Sequence, residues 1–236
     1  MSSTTQNAPL LASASDVVTD STNTPIKSAI PMKKIVSASI LDLLPDDPLF
    51  SQQWHLHNTR GGYDLNLLSV WEDYSGYGVK VVVLDDGVQS KHSDLAANYE
   101  TDLSYNFARQ LFSGNPIGFD SNHGTAVAGI IAAEWNDQVV IGIAYNASLG
   151  SVIADFPSEI TQGFNFAVRQ GADIVNNSWG FDPFVDDPSE SYNTSLFRAL
   201  QKSAETGRDG LGLILTFAAG NEREEGYDAN VNAINS

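Results

Sequence analysis

Short apolar runs alternate with longer amphipathic stretches along most of this chain, and several of the runs end in a polar residue and a turn. Val81-Val82-Val83-Leu84 leads into Asp85-Asp86-Gly87, and Leu213-Ile214-Leu215-Thr216-Phe217 leads into Ala218-Ala219-Gly220-Asn221. Run length and flanking turn residues predict strands over 79–84, 149–153, 173–176 and 212–218, with a short one near Tyr105-Asn106-Phe107. Helical spacing predicts helices over 65–74, 124–134, 159–170 and 191–206. Asp64 is the expected cap of the first, with Leu65, Leu68 and Trp71 on one face, and Ser158 the expected cap of the third. Strands alternating with helices imply an α/β fold, a doubly wound and mostly parallel sheet flanked by helices. Right-handed crossovers then put the carboxyl ends of the strands on one edge. Asp85, Ser178 and Asn221 fall on that edge, close to His123 at the mouth of a helix. In such sheets that edge is where ligands and chemistry collect.

The pattern fails at the beginning. Residues 1–44 are rich in Ser and Thr and broken by Pro9, Pro25 and Pro31, and they read as a tail or linker without a folded core. Leu44-Pro45-Asp46-Asp47-Pro48 is the turn cluster that marks the boundary, so 45–236 is the folded portion. The first residues carry neither a basic nor an apolar leader pattern, and no signal peptide is visible. No apolar run approaches the roughly 18–20 residues of a membrane span.

Charge narrows the partners. Lys and Arg total 12 against 29 Asp and Glu, a formal net charge of -17. That field disfavours nucleic acid and anionic membrane surfaces and suits cations, calcium above all, whose ligands are hard oxygens. The chain has no cysteine, which excludes disulfides, thiolate nucleophiles and cysteine zinc sites. A phosphoryl-transfer reading of Asp85-Asp86 lacks the glycine-rich phosphate loop it would need.

Chemistry enters through pairs. Asp85 alone could be a turn former before Gly87, and a histidine at a helix mouth can be structural. Together on one edge they suggest an imidazole oriented by a carboxylate, which holds the Nδ1–H tautomer and stabilises the imidazolium. Asn221, after a strand in a Gly-Asn turn, is a plausible oxyanion donor. His55 and His57 read as surface or structural histidines, and Trp135 and Trp179 as packing or groove-lining residues.

Four motifs in order resemble the subtilisin-like serine peptidases: Val83-Leu84-Asp85-Asp86-Gly87, His123-Gly124-Thr125-Ala126-Val127-Ala128-Gly129, Asn177-Ser178-Trp179-Gly180 and Ala218-Ala219-Gly220-Asn221. The Asp-Asp-Gly form, the Asp47-to-Leu56 stretch and Ser-Trp-Gly are most similar to the kexin/furin-like branch. The resemblance covers about 45–236. It implies Asp85 as the aspartate of a catalytic triad, His123 as general base and then acid, and Asn221 as oxyanion donor. Ser178, Trp179 and Gly180 would form the edge that pairs with substrate backbone. It also implies a calcium site on Asp47, Asp94 and the loop bearing Asn136, Asp137 and Val139. The implied protein is an extracellular, monomeric endopeptidase acting on polypeptide, with no nucleic acid partner and no membrane insertion.

The departures shape the expectation equally. The family's nucleophile lies in Gly-Thr-Ser-x-Ala-x-Pro, a motif absent from these 236 residues. Ser236 sits in Asn-Ala-Ile-Asn-Ser, too soon after Asn221 to replace it. The chain is therefore expected to stop before the catalytic serine and to be inactive alone. The alternative is a non-catalytic, protease-like peptide-binding module. Phe181 stands where the furin-like pattern has proline, and the acidic residues of Asp182-Pro183-Phe184 and Glu222-Arg223-Glu224-Glu225 are out of register, so a dibasic preference is not expected.

Overall fold

Val81–Leu84 alternate between two cores, and that alternation places the rest of the chain. The computed structural model describes residues 44–180 and 191–221. Among these, β1 is Lys80–Leu84, β2 Tyr105–Asn106, β3 Ser148–Ile153, β4 Ile174–Asn177 and β5 Ile214–Phe217. The helices are α1 His123–Ala132, α2 Pro157–Arg169 and α3 Ser191–Gly210. The strands form one sheet in the order β2-β3-β1-β4-β5, with every ladder parallel. Register is set by pairs such as Val82 with Gly150 on one side and Val82 with Val175 on the other.

Successive side chains of a strand face opposite ways. Val81 and Val83 pack with Leu149 against Ala128, Ala132 and Ala133 of α1 and the residue after it. Val82 and Leu84 pack with Val152 and Val175 against Ile160, Phe164 and Ala167 of α2 and Leu196 and Ala199 of α3. A parallel sheet covered on both faces needs such unbroken apolar strands. A third cluster joins Phe50, Leu56 and Ile141, with Trp71, Trp135 and Tyr145 packed on it.

Each of the expected strands is present, trimmed or shifted by a residue or two at its ends. The expected helix over 65–74 is not. Asp64 accepts hydrogen bonds from the amides of Asn58 (2.7 Å) and Asn66 (2.9 Å), and Asn66 takes a left-handed φ of 51°. This local side-chain closure competes with helix. Beyond it the chain makes a short turn, in which Trp71 N–H donates to the Leu67 carbonyl at 3.0 Å and Tyr74 N–H to that of Val70 at 2.8 Å. Trp71 still turns inward, and its Nε1 donates to the Ile143 carbonyl at 2.9 Å. Leu65 remains exposed.

α2 begins before the expected Ser158. Pro157 occupies its first turn, where a missing N–H has no cost. The Glu159 carboxylate accepts from the amides of Asp155 (3.0 Å) and Phe156 (3.4 Å). In α3 regular helix ends at Thr206, as the sequence pattern predicts, because Gly207, Arg208 and Asp209 leave helical backbone. Residues 1–43 of the expected 1–44 tail, the expected loop 181–190 and residues 222–236 lie outside the described residues.

Candidate active site at the carboxyl edge

β1 ends by presenting Asp85. The Asp85 amide donates to the Val152 carbonyl at 3.0 Å, so the sheet ladder continues up to the carboxylate-bearing residue. Gly87 then turns the chain with φ 119°. A Cβ there would meet the backbone of Pro116 at 2.7 Å, so only glycine fits.

His123 is the first residue of α1. Its Nδ1 lies 2.8 Å from Asp85 Oδ1 and 3.0 Å from Oδ2. The Asp85 side chain is 5% exposed and that of His123 is 57% exposed. One ring nitrogen is thus committed to a buried carboxylate, while much of the ring faces solvent. A carboxylate only accepts, so Nδ1 carries a proton, and in the neutral ring Nε2 keeps its lone pair. The Asp86 amide also donates to Asp85 Oδ1, at 2.8 Å.

Burial pushes the Asp85 carboxyl up from its ordinary value, opposed by the hydrogen bonds from His123 and the Asp86 amide. The hydrogen bond to Asp85 holds the imidazole above its ordinary 6.5 against a smaller effect of burial, and the charges of Asp85 and Asp86 add to it. The second shift governs chemistry near neutrality. With a folded value above 6.5, the His123 contribution to stability is complete below about 6.5 and is lost as pH rises through the folded value. It is small, because the imidazole is more than half in water.

Asp86 is the residue that sequence reasoning missed. Its Oδ1 accepts from the Gly124 amide at 2.7 Å and its Oδ2 from the His123 amide at 3.1 Å. The side chain of the N-cap residue Asn122 makes no capping bond, and the first turn of α1 holds no acidic residue. Asp86 satisfies both amides from outside the helix, with its charge at the favourable end of the dipole. The available signal was a helix start without a cap of its own, beside an unassigned aspartate.

Gly124 closes the packing. A Cβ on it would lie 2.6 Å from the Gly87 carbonyl and 3.0 Å from both Asp85 Cβ and Asp86 Oδ1. Neither backbone nor the clamped aspartates can yield. Gly124→Ala is expected to destabilise the fold by about 1–3 kcal/mol, read as a melting temperature several degrees lower.

The segment after β4 is tied down in detail. Asn176 Nδ2 donates to Ser178 Oγ at 2.9 Å, and Thr216 Oγ1 donates to Asn176 Oδ1 at 3.0 Å. Buried Asn177 donates to the carbonyls of Thr216 (3.1 Å) and Val175 (3.2 Å). Trp179 Nε1 donates to the Leu84 carbonyl at 2.9 Å, and its ring meets Phe217 edge-on at 6.1 Å. Gly180 comes next and is exposed. Asn221 stands on the same edge, past the end of β5 and just after Gly220 with its φ of 96°. β5 lies two strands from β1, about 10 Å at the usual strand spacing.

The sequence-predicted cation residues gather elsewhere, beside the third core cluster. Asp47 is 4% exposed, and neither carboxylate oxygen has a hydrogen-bond partner. Burial pushes its carboxyl up. The amides of Asn136 and of Asp47 itself oppose this from nearby without hydrogen-bond geometry, and Asp137 and Asp94 add to the rise by their charge. Asp94 is also buried. Its Oδ1 accepts from Ser93 Oγ (3.1 Å) and its Oδ2 from the Val140 amide (3.0 Å). The Asn136 side chain ties its loop to the Ser93 turn, donating to the Ser93 carbonyl at 3.0 Å and accepting from the Gln138 amide at 3.0 Å. The Val139 carbonyl accepts from Leu49 N–H at 2.9 Å. Among the described residues no three His, Cys, Asp or Glu side chains are placed to hold a metal. Any cation at Asp47 would complete its shell with carbonyl or amide oxygens, as hard cations do.

His55 and His57 take part in packing. The His57 ring lies parallel to Phe50 at 6.3 Å, and burial lowers the His55 imidazole. Trp135 packs on Trp71 and Tyr145. No helix among the described residues is long and apolar enough to cross a membrane.

Residues 76–235 match the subtilase family, peptidase S8. The dibasic-processing endoprotease of Schizosaccharomyces pombe is 39% identical over 184 residues, covering 74% of this chain and 25% of that protein. Human furin is 34% identical over 200 residues, covering 79% of this chain and 24% of furin. The crystal structure of a serine protease of Aeromonas sobria superposes with a TM-score of 0.65 at 30% identity, over 76% of this chain and 33% of that one. The chain spans about a quarter of the length of these curated relatives.

Proposed function

The chain belongs to the subtilase family, and we propose on that premise that it carries the acid–base half of a serine-type endopeptidase site. The observation that supports this best is the paired contact of His123 Nδ1 with buried Asp85, at 2.8 and 3.0 Å, which leaves Nε2 as the available base. In this reading Nε2 takes the proton of a serine hydroxyl as its oxygen attacks a peptide carbonyl. Asp85 stabilises the imidazolium, which then protonates the leaving amine. Water hydrolyses the acyl ester by the same route. The serine this reading calls for is that of the family's Gly-Thr-Ser-x-Ala-x-Pro motif, which these 236 residues do not contain. Asn221 supplies an oxyanion donor, and Ser178–Gly180 offers backbone to an extended substrate.

Calcium is the cofactor we assign to Asp47 and Asp94, with the loop Asn136–Val139 completing the shell. The support is the buried Asp47 carboxylate with both oxygens unpartnered, since an ionised group in such a place calls for a counter-ion. Bound there, calcium would neutralise the carboxylates and hold the segment at Asp47 against the loop after α1. A calcium-held monomer working outside the cell is the accompanying proposal.

The test uses the native gene product with a labelled fluorophosphonate and a quenched-fluorescent unfolded polypeptide. Covalent labelling together with cleavage is expected. Tight peptide binding with neither labelling nor cleavage would replace this reading with the peptide-binding module.

A further inference from the structure

We propose that Trp179 is a positioning residue, whose indole N–H holds the Leu84–Asp85 peptide so that Asp85 meets His123 with both oxygens. The inference rests on the reading of Asp85 and His123 as the acid–base pair.

The β1–β4 ladder has its last pair at Val83 with Asn176. One residue on, Leu84 is buried at 2% exposure, and a buried carbonyl left unpaired costs about 1–3 kcal/mol. Beyond that last pair β4 stays joined to β5 through Asn177 but no longer pairs with β1, and Trp179 supplies the donor instead, Nε1 to the Leu84 carbonyl at 2.9 Å. The other half of the same peptide unit is held from the opposite side, Asp85 N–H to the Val152 carbonyl at 3.0 Å. A planar peptide fixed at both its carbonyl and its amide has a fixed tilt. That tilt sets the direction in which Asp85 Cα–Cβ leaves the strand.

The indole is itself immobilised. It packs against the core cluster of α2 and α3, and Phe217 of β5 meets it at 89°. Trp179 also lies between Ser178 and Gly180, the segment assigned to substrate backbone. Substrate pairing at that segment and the aim of Asp85 therefore share one side chain. A small rotation of the peptide would trade the symmetric 2.8 and 3.0 Å contacts for a single longer one.

The test is an NMR titration of the His123 imidazole in the full chain. Asp85 and Asp86 are the charged groups that act on this ring, and Asp86 is untouched by the substitution. Trp179→Phe keeps a ring against Phe217 and removes the N–H. It is expected to lower the His123 midpoint by about half a pH unit or more, toward the ordinary value. Phe217→Leu removes the ring partner but keeps the N–H. It is expected to lower the melting temperature and leave the midpoint in place. If Trp179→Phe does not fold, 3-benzothienylalanine at 179 exchanges N–H for sulfur in a ring of the same shape and gives the same reading. An unchanged midpoint with either replacement, while Asp85→Asn lowers it, would overturn this proposal alone. A midpoint indifferent to Asp85→Asn would overturn the acid–base pair as well.

Discussion

Alanine in place of His123 in the native gene product is expected to lower turnover of an unfolded polypeptide by about 10⁶-fold, the scale of loss found when the histidine of subtilisin's own triad is removed. Asp85→Asn is expected to be milder, about 10⁴-fold, because the imidazole survives but loses the acceptor that fixes its tautomer. The double variant should be no worse than His123→Ala alone, since the two side chains act as one unit at 2.8 Å. Additive losses would mean that they act separately. The pH profile gives a second check. The base works only as neutral imidazole, and Asp85 holds His123 above 6.5. The acid limb of kcat/KM is therefore expected above about 6.5. In Asp85→Asn, measured on the residual activity, that limb should move down. A limb that stays in place would separate Asp85 from the titrating group.

Chelation is the second large effect. A site saturated at 100 to 1,000 times its dissociation constant adds about 2.7–4.1 kcal/mol, so removing calcium should lower the melting temperature by roughly 5–15 °C in a domain of this size. Asp47→Asn sharpens the reading because its sign depends on the cation. With calcium bound, the substitution removes a ligand and destabilises. Without calcium, it removes a buried charge whose two oxygens have no partner, and neutralisation should stabilise. Wild type and Asp47→Asn melted with and without chelator should therefore exchange order. Equal melting in both conditions would remove the proposed site.

The motifs picked out Asp85 and His123, which the structure brings into contact, more readily than local pattern placed every helix. Asp85 and His123 were legible because each sits at an element boundary, where an apolar run meets a polar residue. The parallel sheet brings those boundaries to one edge wherever the strands fall. The helix over 65–74 was misread because the spacing of Leu65, Leu68 and Trp71 mimics a helical face. The Asp64 side chain closes on Asn58 and Asn66 instead, and Trp71 is drawn in by Trp135 and Tyr145, residues remote in sequence. Asp86 escaped notice because its partners are the amides of His123 and Gly124. Backbone donors leave no trace in residue identity.

What the sequence determines by itself is periodic or local. It contains the polarity pattern of the strands, the turn glycines, the acidic charge and the four motifs that mark the family. What only the tertiary structure decides is which remote groups share a proton or a carbonyl. Trp179 on Leu84, Asp86 across the mouth of α1 and the unpartnered oxygens of Asp47 all depend on contacts within a few ångströms between residues far apart in the chain. Such contacts are set by how the layers pack, which no local pattern encodes.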